Sequence, residues 1–296
     1  MPVRASRPRR RHVLAIALAV SIGALAPTPA VAVVGGVQAL PGEAPWAVGL
    51  VASPRRIAAS QFCGATLVAP DTVVTATHCL FEAALAEGSD DREKTRPRVF
   101  PGHVLPLRTG PIRAVAWAAV HPDIEVESSG LSADIAVLRL RRPLPGAVPL
   151  AYAVKADGGA YPAGSAVSIF GWGNRSGRHG RINLPRELQR GDLERYSDAR
   201  CNELYGRMFN PAVHLCAGRP DGSVDACDGD SGGPLVATPA DRPPLLVGIV
   251  SFGQGCGEPD FPTIYTKVAR YATWLKKMIA TRGTPRGENV IRFDRR

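Results

Sequence analysis

Asp225-Ala226-Cys227-Asp228-Gly229-Asp230-Ser231-Gly232-Gly233-Pro234 sets one serine among glycines, directly after an acid. Glycine permits backbone shapes and close approaches that a side chain blocks. A serine in such a setting can be presented as a nucleophile, with backbone N–H groups turned toward the same reacting atom. The plain alternative is a Gly-rich surface turn. Gly229-Asp230-Ser231-Gly232-Gly233 also fits the Gly-x-Ser-x-Gly elbow of α/β-hydrolases. That elbow needs its acid and histidine after the serine. The last histidine of this chain is His214, which comes before it, so the elbow is excluded.

Upstream, Gln61 to Val68 and Thr72 to Thr77 are β-branched and apolar and read as strands. The second runs into His78-Cys79. A lone histidine is more often structural than catalytic, but Cys79 beside it and Cys63 upstream tilt the reading toward chemistry. Ala133-Asp134-Ile135-Ala136-Val137-Leu138 puts one acid at the head of an apolar strand. Phe170-Gly171-Trp172-Gly173 follows, and Val247 to Gly253 reads as a strand entering a turn. Near the start stand Val33-Val34-Gly35-Gly36 and Pro45-Trp46-Ala47-Val48-Gly49-Leu50. Ala269 to Ala280 carries Ala272, Leu275 and Ile279 at helical spacing. Short strands with turn signals throughout give an all-β class, and no repeat of solenoid period is present.

In the order His, Asp, Ser, these motifs resemble those of trypsin-like (chymotrypsin-fold) serine proteases, from Val33 to about Ala280. The resemblance is to a secreted, bacterial-type member. It implies two antiparallel β-barrels with an active site in the crevice between them and a closing C-terminal helix. It also implies His78 as general base, Asp134 as its orienting acid and Ser231 as nucleophile. The N–H groups of Gly229 and Ser231 then form the oxyanion hole. A freed α-amino group at Val33 is implied to fold inward and pair with Asp230; the alternative is an ordinary strand after a removed signal. Asp225, Ser251, Gly253 and Thr263 take substrate-binding positions, and Tyr205 also fits trypsin-like members. Asp225 implies cleavage after Arg or Lys. Several residues depart from the pattern: Thr77 for alanine, Phe252 for tryptophan, Asp228 for an uncharged residue and Thr263 for glycine. Thr263 adds bulk beside Asp225, so a pocket for small apolar residues is the rival reading. A non-catalytic homologue that only binds partners is a third.

Six cysteines in an exported chain suggest three disulfides, and sequence alone allows 15 pairings. The family pattern implies Cys63–Cys79, Cys201–Cys216 and Cys227–Cys256. No Cys-x-x-Cys pair occurs, which argues against a metal site. Asp90, Asp91 and Glu93 lack the spacing of a calcium loop and read as a solvated loop. No cofactor is expected.

The chain has 296 residues, 45% of them hydrophobic, enough for a large core in one or two domains. Five arginines precede an uncharged run from Val13 to Ala26, and Ala30-Val31-Ala32 supplies small residues for cleavage. The run is short for a membrane span, so residues 1–32 read as a signal peptide and the product as extracellular. Arg10-Arg11 loosely suggests twin-arginine export. The formal charge is +10, but residues 1–32 carry five arginines and no acid, and the tail 281–296 is itself +3. Basicity therefore sits at the ends, which argues against nucleic acid as a partner. Expected partners are protein or peptide substrates and a protein protease inhibitor, with a monomer and no membrane contact after signal removal. Pro143 to Pro149 reads as the linker between halves of a 33–280 domain. Asn174 to Gly191 reads as an Arg-rich loop with a glycosylation sequon at Asn174, and the tail beyond Ala280 as mobile.

Overall fold

The computed structural model describes Met1 and residues 33–85, 96–105, 111–127, 130–176 and 184–293. The expected signal segment from residue 2, together with Asp90, Asp91 and Glu93, lies outside the described residues. Two closed, six-stranded antiparallel barrels make up the body. The first contains β1 (Ala47–Val51), β2 (Gln61–Ala69), β3 (Thr72–Thr75), β4 (Arg98–Pro101), β5 (Arg113–Val120) and β6 (Ala136–Leu140). The second contains β7 (Ala166–Gly171), β8 (Gln189–Arg195), β9 (His214–Gly218), β10 (Pro234–Ala237), β11 (Leu245–Phe252) and β12 (Thr263–Lys267).

The first barrel runs β1-β2-β3-β6-β5-β4 around its circumference, and the second runs β7-β8-β9-β12-β11-β10. The two rings therefore share one connectivity, although the sequence carries no repeat that reveals it. Closure pairs the edges that open sheets must otherwise protect, except along β5 beyond Ala114, which β4 does not reach. The sequence reason is clearest in β8, where Leu193 is buried while Asp192 and Glu194 on either side are exposed. Leu50, Leu67, Val73 and Leu138 are buried in the first barrel, and Ile169, Leu215, Leu235 and Val247 in the second.

Among the described residues, three α-helices decorate the barrels: α1 (His78–Leu85), α2 (Asp198–Tyr205) and α3 (Val268–Ala280). Ser197 caps α2, its hydroxyl accepting the Arg200 N–H at 3.1 Å. In α3, Val268, Tyr271, Ala272, Leu275 and Met278 are buried at the period of a helix with one apolar face. The stretch 143–149 lies between β6 and Ala151–Tyr152, a short strand that pairs in parallel with β11. Disulfides join Cys63 to Cys79, Cys201 to Cys216 and Cys227 to Cys256.

Two expectations are corrected. The Arg-rich loop does not reach Gly191, because β8 begins at Gln189. Gly191 looked like a loop residue, but a Cβ there would come within 2.7 Å of Val33 Cγ1, so the glycine makes room for a buried neighbour inside the strand. The tail does not trail away freely either: β13 (Val290–Arg292) pairs antiparallel with β5. Three residues are too few to show a period-2 pattern.

Candidate active site

β3 ends at Thr75, and α1 opens on His78. Asp134 lies just before β6, so both side chains come from the first barrel. His78 Nδ1 is 2.8 Å from Asp134 Oδ2, and the His78 backbone N–H donates to Asp134 Oδ1 at 3.0 Å. The second barrel completes the setting. Ser251 donates its hydroxyl to Asp134 Oδ2 at 2.5 Å, and Thr266 donates to the Asp134 carbonyl at 2.9 Å. Asp134 is fully buried. Burial alone raises its pKa, but the hydrogen bond and charge of His78, then the Ser251 hydroxyl and the His78 N–H, hold it below the usual carboxylate range. The imidazole is thereby oriented, with Nε2 facing away from the acid.

Ser231 sits in the turn that leads into β10. Its carbonyl accepts the Gly64 N–H of β2 at 2.8 Å, which ties the loop to the opposite barrel. Gly64 has no substitute at this seam, because a Cβ would stand 2.8 Å from Gly233 Cα. Cys79 Sγ is 3.9 Å from His78 Nε2 and 3.6 Å from the Ser231 carbonyl, so both residues touch one sulfur. His78 and Ser231 are each half-buried, whereas the acid behind them is closed off.

The backbone of this loop is sorted into used and unused donors. The N–H groups of Asp230, Gly232 and Gly233 bond to Cys227, Val250 and Asp230 carbonyls. Those of Gly229 and Ser231 have no acceptor among the described residues. The Asp228 carbonyl accepts the Asn174 N–H at 2.7 Å, and a trans peptide then turns the Gly229 N–H to the opposite side. Gln61 fixes the next carbonyl, its Nε2 donating to Gly229 O at 2.8 Å. Gly229 has φ +94°, which favours glycine. Two fixed, unmatched donors beside a serine can bind an oxyanion.

A cavity of about 210 Å³ adjoins Ser231, lined by Ala226, Cys227, Asp228, Val250, Ser251, Phe252, Gly253, Gly255, Cys256 and Thr263. Asp225 is not part of this wall. It lies behind Thr263, whose hydroxyl donates to Asp225 Oδ1 at 2.6 Å, while the Gly257 N–H donates to Oδ2 at 2.9 Å. Burial pushes the Asp225 carboxyl up despite these donors. Tyr205 is buried and donates to the Pro262 carbonyl at 2.7 Å, bracing the chain next to Thr263.

Asp230 is also buried, accepting the Gly173 N–H at 2.8 Å and the Cys227 N–H at 3.1 Å. Burial pushes it up to about 7, against those two donors, with the Asp225 and Asp228 charges adding to the rise. Val33 is fully buried in the second-barrel core, yet no hydrogen bond joins it to Asp230 in this chain, where Val33 is still an internal residue. Two groups of potential metal ligands, Cys63-His78-Cys79 and Cys227-Asp228-Cys256, have both cysteines in disulfides and so offer no thiolate.

The sequence did not single out Gln61, Gly257 or Thr266, and marked Asn174 only as a sequon. Each makes a long-range hydrogen bond that nothing in its local sequence records. Ser251 was expected at the substrate; it lines the cavity and also holds Asp134.

Residues 33–275 match the Trypsin family. Trypsin of Saccharopolyspora erythraea is 35% identical over 247 residues, covering 83% of this chain and 98% of that protein. The vitellin-degrading protease of Bombyx mori is 36% identical, covering 83% and 85%. Other relatives are far longer: the chain spans 22% of transmembrane protease serine 9 of Rattus norvegicus, at 34% identity. Neuropsin, a serine protease expressed in the limbic system of mouse brain, superposes with a TM-score of 0.65 at 29% identity, over 82% of this chain and 98% of its own. With the two-barrel fold and this family match, the chain belongs to the trypsin family of serine endopeptidases.

Proposed function

We propose that this chain is a secreted endopeptidase that hydrolyses peptide bonds after Arg or Lys through His78, Asp134 and Ser231. One observation carries the reading: Asp134 holds His78 by its Nδ1 side, while the N–H groups of Gly229 and Ser231 have no acceptor among the described residues. A serine hydroxyl is a weak nucleophile until a base takes its proton. His78 takes it as Ser231 Oγ attacks the substrate carbonyl, and Asp134 stabilises the imidazolium. The tetrahedral oxyanion accepts from Gly229 and Ser231. His78 then gives its proton to the leaving amine, and water hydrolyses the acyl-enzyme by the same route in reverse. Ser231→Ala tests this. The variant should fold, yet lose about 10⁶-fold in kcat and all labelling by a serine-directed phosphonylating reagent. Unchanged turnover overturns the assignment.

Asp225 supports the basic preference. It is buried, held only by neutral donors, and best satisfied by a cationic side chain entering the pocket. Arg suits it better than Lys, since a planar fork can engage a carboxylate through two bonds. A second reading, small apolar residues, rests on Thr263 standing in the wall where Asp225 does not. Asp230 supports activation by a free Val33 α-amino group, which would give its carboxylate a cation after cleavage behind Ala32. Secretion rests on the sequence of residues 1–32; no helix of the described residues is long and apolar enough to cross a membrane. A monomer with protein substrates, open to a protein inhibitor at the same cleft, completes the reading.

A further inference from the structure

The family match ends at residue 275, inside α3, but the chain continues and turns back to the first barrel. Its departure point is pinned. Arg139 of β6 donates to the Met278, Ile279 and Thr281 carbonyls at 3.0, 2.8 and 3.2 Å, and to Asp71 at 2.8 Å. Its guanidinium lies 5.4 Å from the Trp117 ring. The far end is pinned as well. β13 pairs Val290, Ile291 and Arg292 with Ala119, Ala118 and Trp117. The Val120 N–H bonds to Asn289 O at 2.9 Å and the Phe293 N–H to Ala116 O at 3.0 Å. β5 pairs with β4 only at Arg113 and Ala114, so β13 covers an edge that is otherwise open.

Between these anchors the chain is held by almost nothing. Residues 282–288 are exposed apart from half-buried Pro285, and make no hydrogen bond to the rest of the described residues. Arg282 and Arg286 carry no ion pair among the described residues, and each is followed by an exposed glycine. A cavity of about 640 Å³ lies between Arg282, Gly283 and Thr284 on one side and Trp117 and Leu140 on the other, so the start of the stretch is not packed down. Among the described residues, Arg139, Arg190 and Arg195 are bonded to acids and Arg56 precedes the fully buried Ile57, so these four are poorer targets.

We propose that residues 287–293 are a removable strap on the first barrel, and that Arg286–Gly287 is a processing site for this chain's own protease activity. The self-processing rests on the Arg/Lys reading above. A protease takes its substrate as an extended segment with a free side chain; residues 284–286 lie outside any turn, and only the bend at Gly287 and the turn at 288–289 must open for the bond to be taken. Water adds across the Arg286–Gly287 amide and the C–N bond breaks. Arg286 gains a carboxylate and Gly287 an ammonium group. Residues 287–296 then leave with β13, opening the β5 edge and uncovering the core atoms beneath Val290 and Phe293.

The test follows intact mass during incubation of the purified protein, with an Arg peptide substrate assayed in the same sample. Wild type should lose residues 287–296, while Ser231→Ala and the pair Arg282→Gln with Arg286→Gln should not. The clipped form should melt about 2–4 °C lower or more. A trace of added trypsin should cut Ser231→Ala first at Arg286, whatever this chain's own specificity. An enzyme that cleaves the Arg peptide yet keeps residues 287–296 overturns the self-processing. First cuts elsewhere by trypsin, or an unchanged melting point after clipping, overturn the strap. A wild type that cleaves no Arg peptide overturns the specificity reading, and self-processing with it, while the trypsin arm still judges the strap.

Discussion

Three acids are buried around the reaction centre, and the two sides of the site treat them differently. On the first-barrel side, Asp134 meets His78, a partner able to carry positive charge, and its pKa falls. On the nucleophile-loop side, Asp225 and Asp230 meet only neutral donors, and their pKa values rise. Burial is near complete in all three cases, so burial does not decide the outcome; the partner does. A buried carboxylate without a cation is costly. Asp134 is complete within the folded chain. Asp225 and Asp230 have only neutral donors among the described residues, and the function proposed above supplies each with a cation, one from a substrate side chain and one from a new terminus at Val33.

The largest break of this comparison is Asp134→Asn. It removes the acid that holds His78 in its working tautomer, and kcat should fall about 10⁴-fold, the loss seen for this change in an established Ser-His-Asp triad. Steady-state kinetics on a peptide substrate check it, and a loss of less than tenfold would deny Asp134 the role. Next in size is the Val33–Asp230 pair. A protein that retains residues before Val33 leaves Asp230 without its cation. Breaking a buried ion pair costs about 3–5 kcal/mol, so activity should be lower by roughly 10²–10³-fold than in a chain starting at Val33. N-terminal sequencing with active-site titration checks it.

How much of this was legible in advance depends on how local the signal was. Ser231, His78 and Asp134 each sit in a run whose neighbours announce them: glycines around the serine, a disulfide cysteine beside the histidine, an apolar strand after the acid. The two barrels followed from a family resemblance, while the residues alone gave only an all-β class. Thr266 and Gln61 were invisible and Asn174 showed only as a sequon, because each contributes a hydrogen bond across a long sequence separation. β13 was invisible for another reason. Its stability comes from the open edge of β5, and nothing in Val290–Arg292 records that edge. Thr263 was expected beside Asp225 as added bulk, and the structure places its hydroxyl 2.6 Å from the Asp225 carboxylate.

The smallest expected effect is on stability. In the unprocessed form Asp230 holds its proton up to about 7, against an ordinary value of 3.8. Folding therefore binds a proton that the unfolded chain has released, and this contribution is lost as pH rises from about 4 to 7. A free Val33 ammonium group lowers the Asp230 pKa and removes that loss. In a Ser231→Ala background, the melting-temperature gap between the two forms should widen over that window, by about 2–4 °C for each kcal/mol. A gap that narrows or stays constant would mean Asp230 is not the titrating group.

The most direct test of the whole comparison is the preference of the wild type among peptides that differ only in Arg, Lys, Ala or Val before the scissile bond. If Asp225 is held for an incoming cation, kcat/KM is highest for Arg, and Thr263→Gly raises the Arg and Lys values while leaving Ala and Val low. Faster cleavage after Ala or Val than after Arg in the wild type would contradict the account, leaving Asp225 a sealed structural acid behind Thr263.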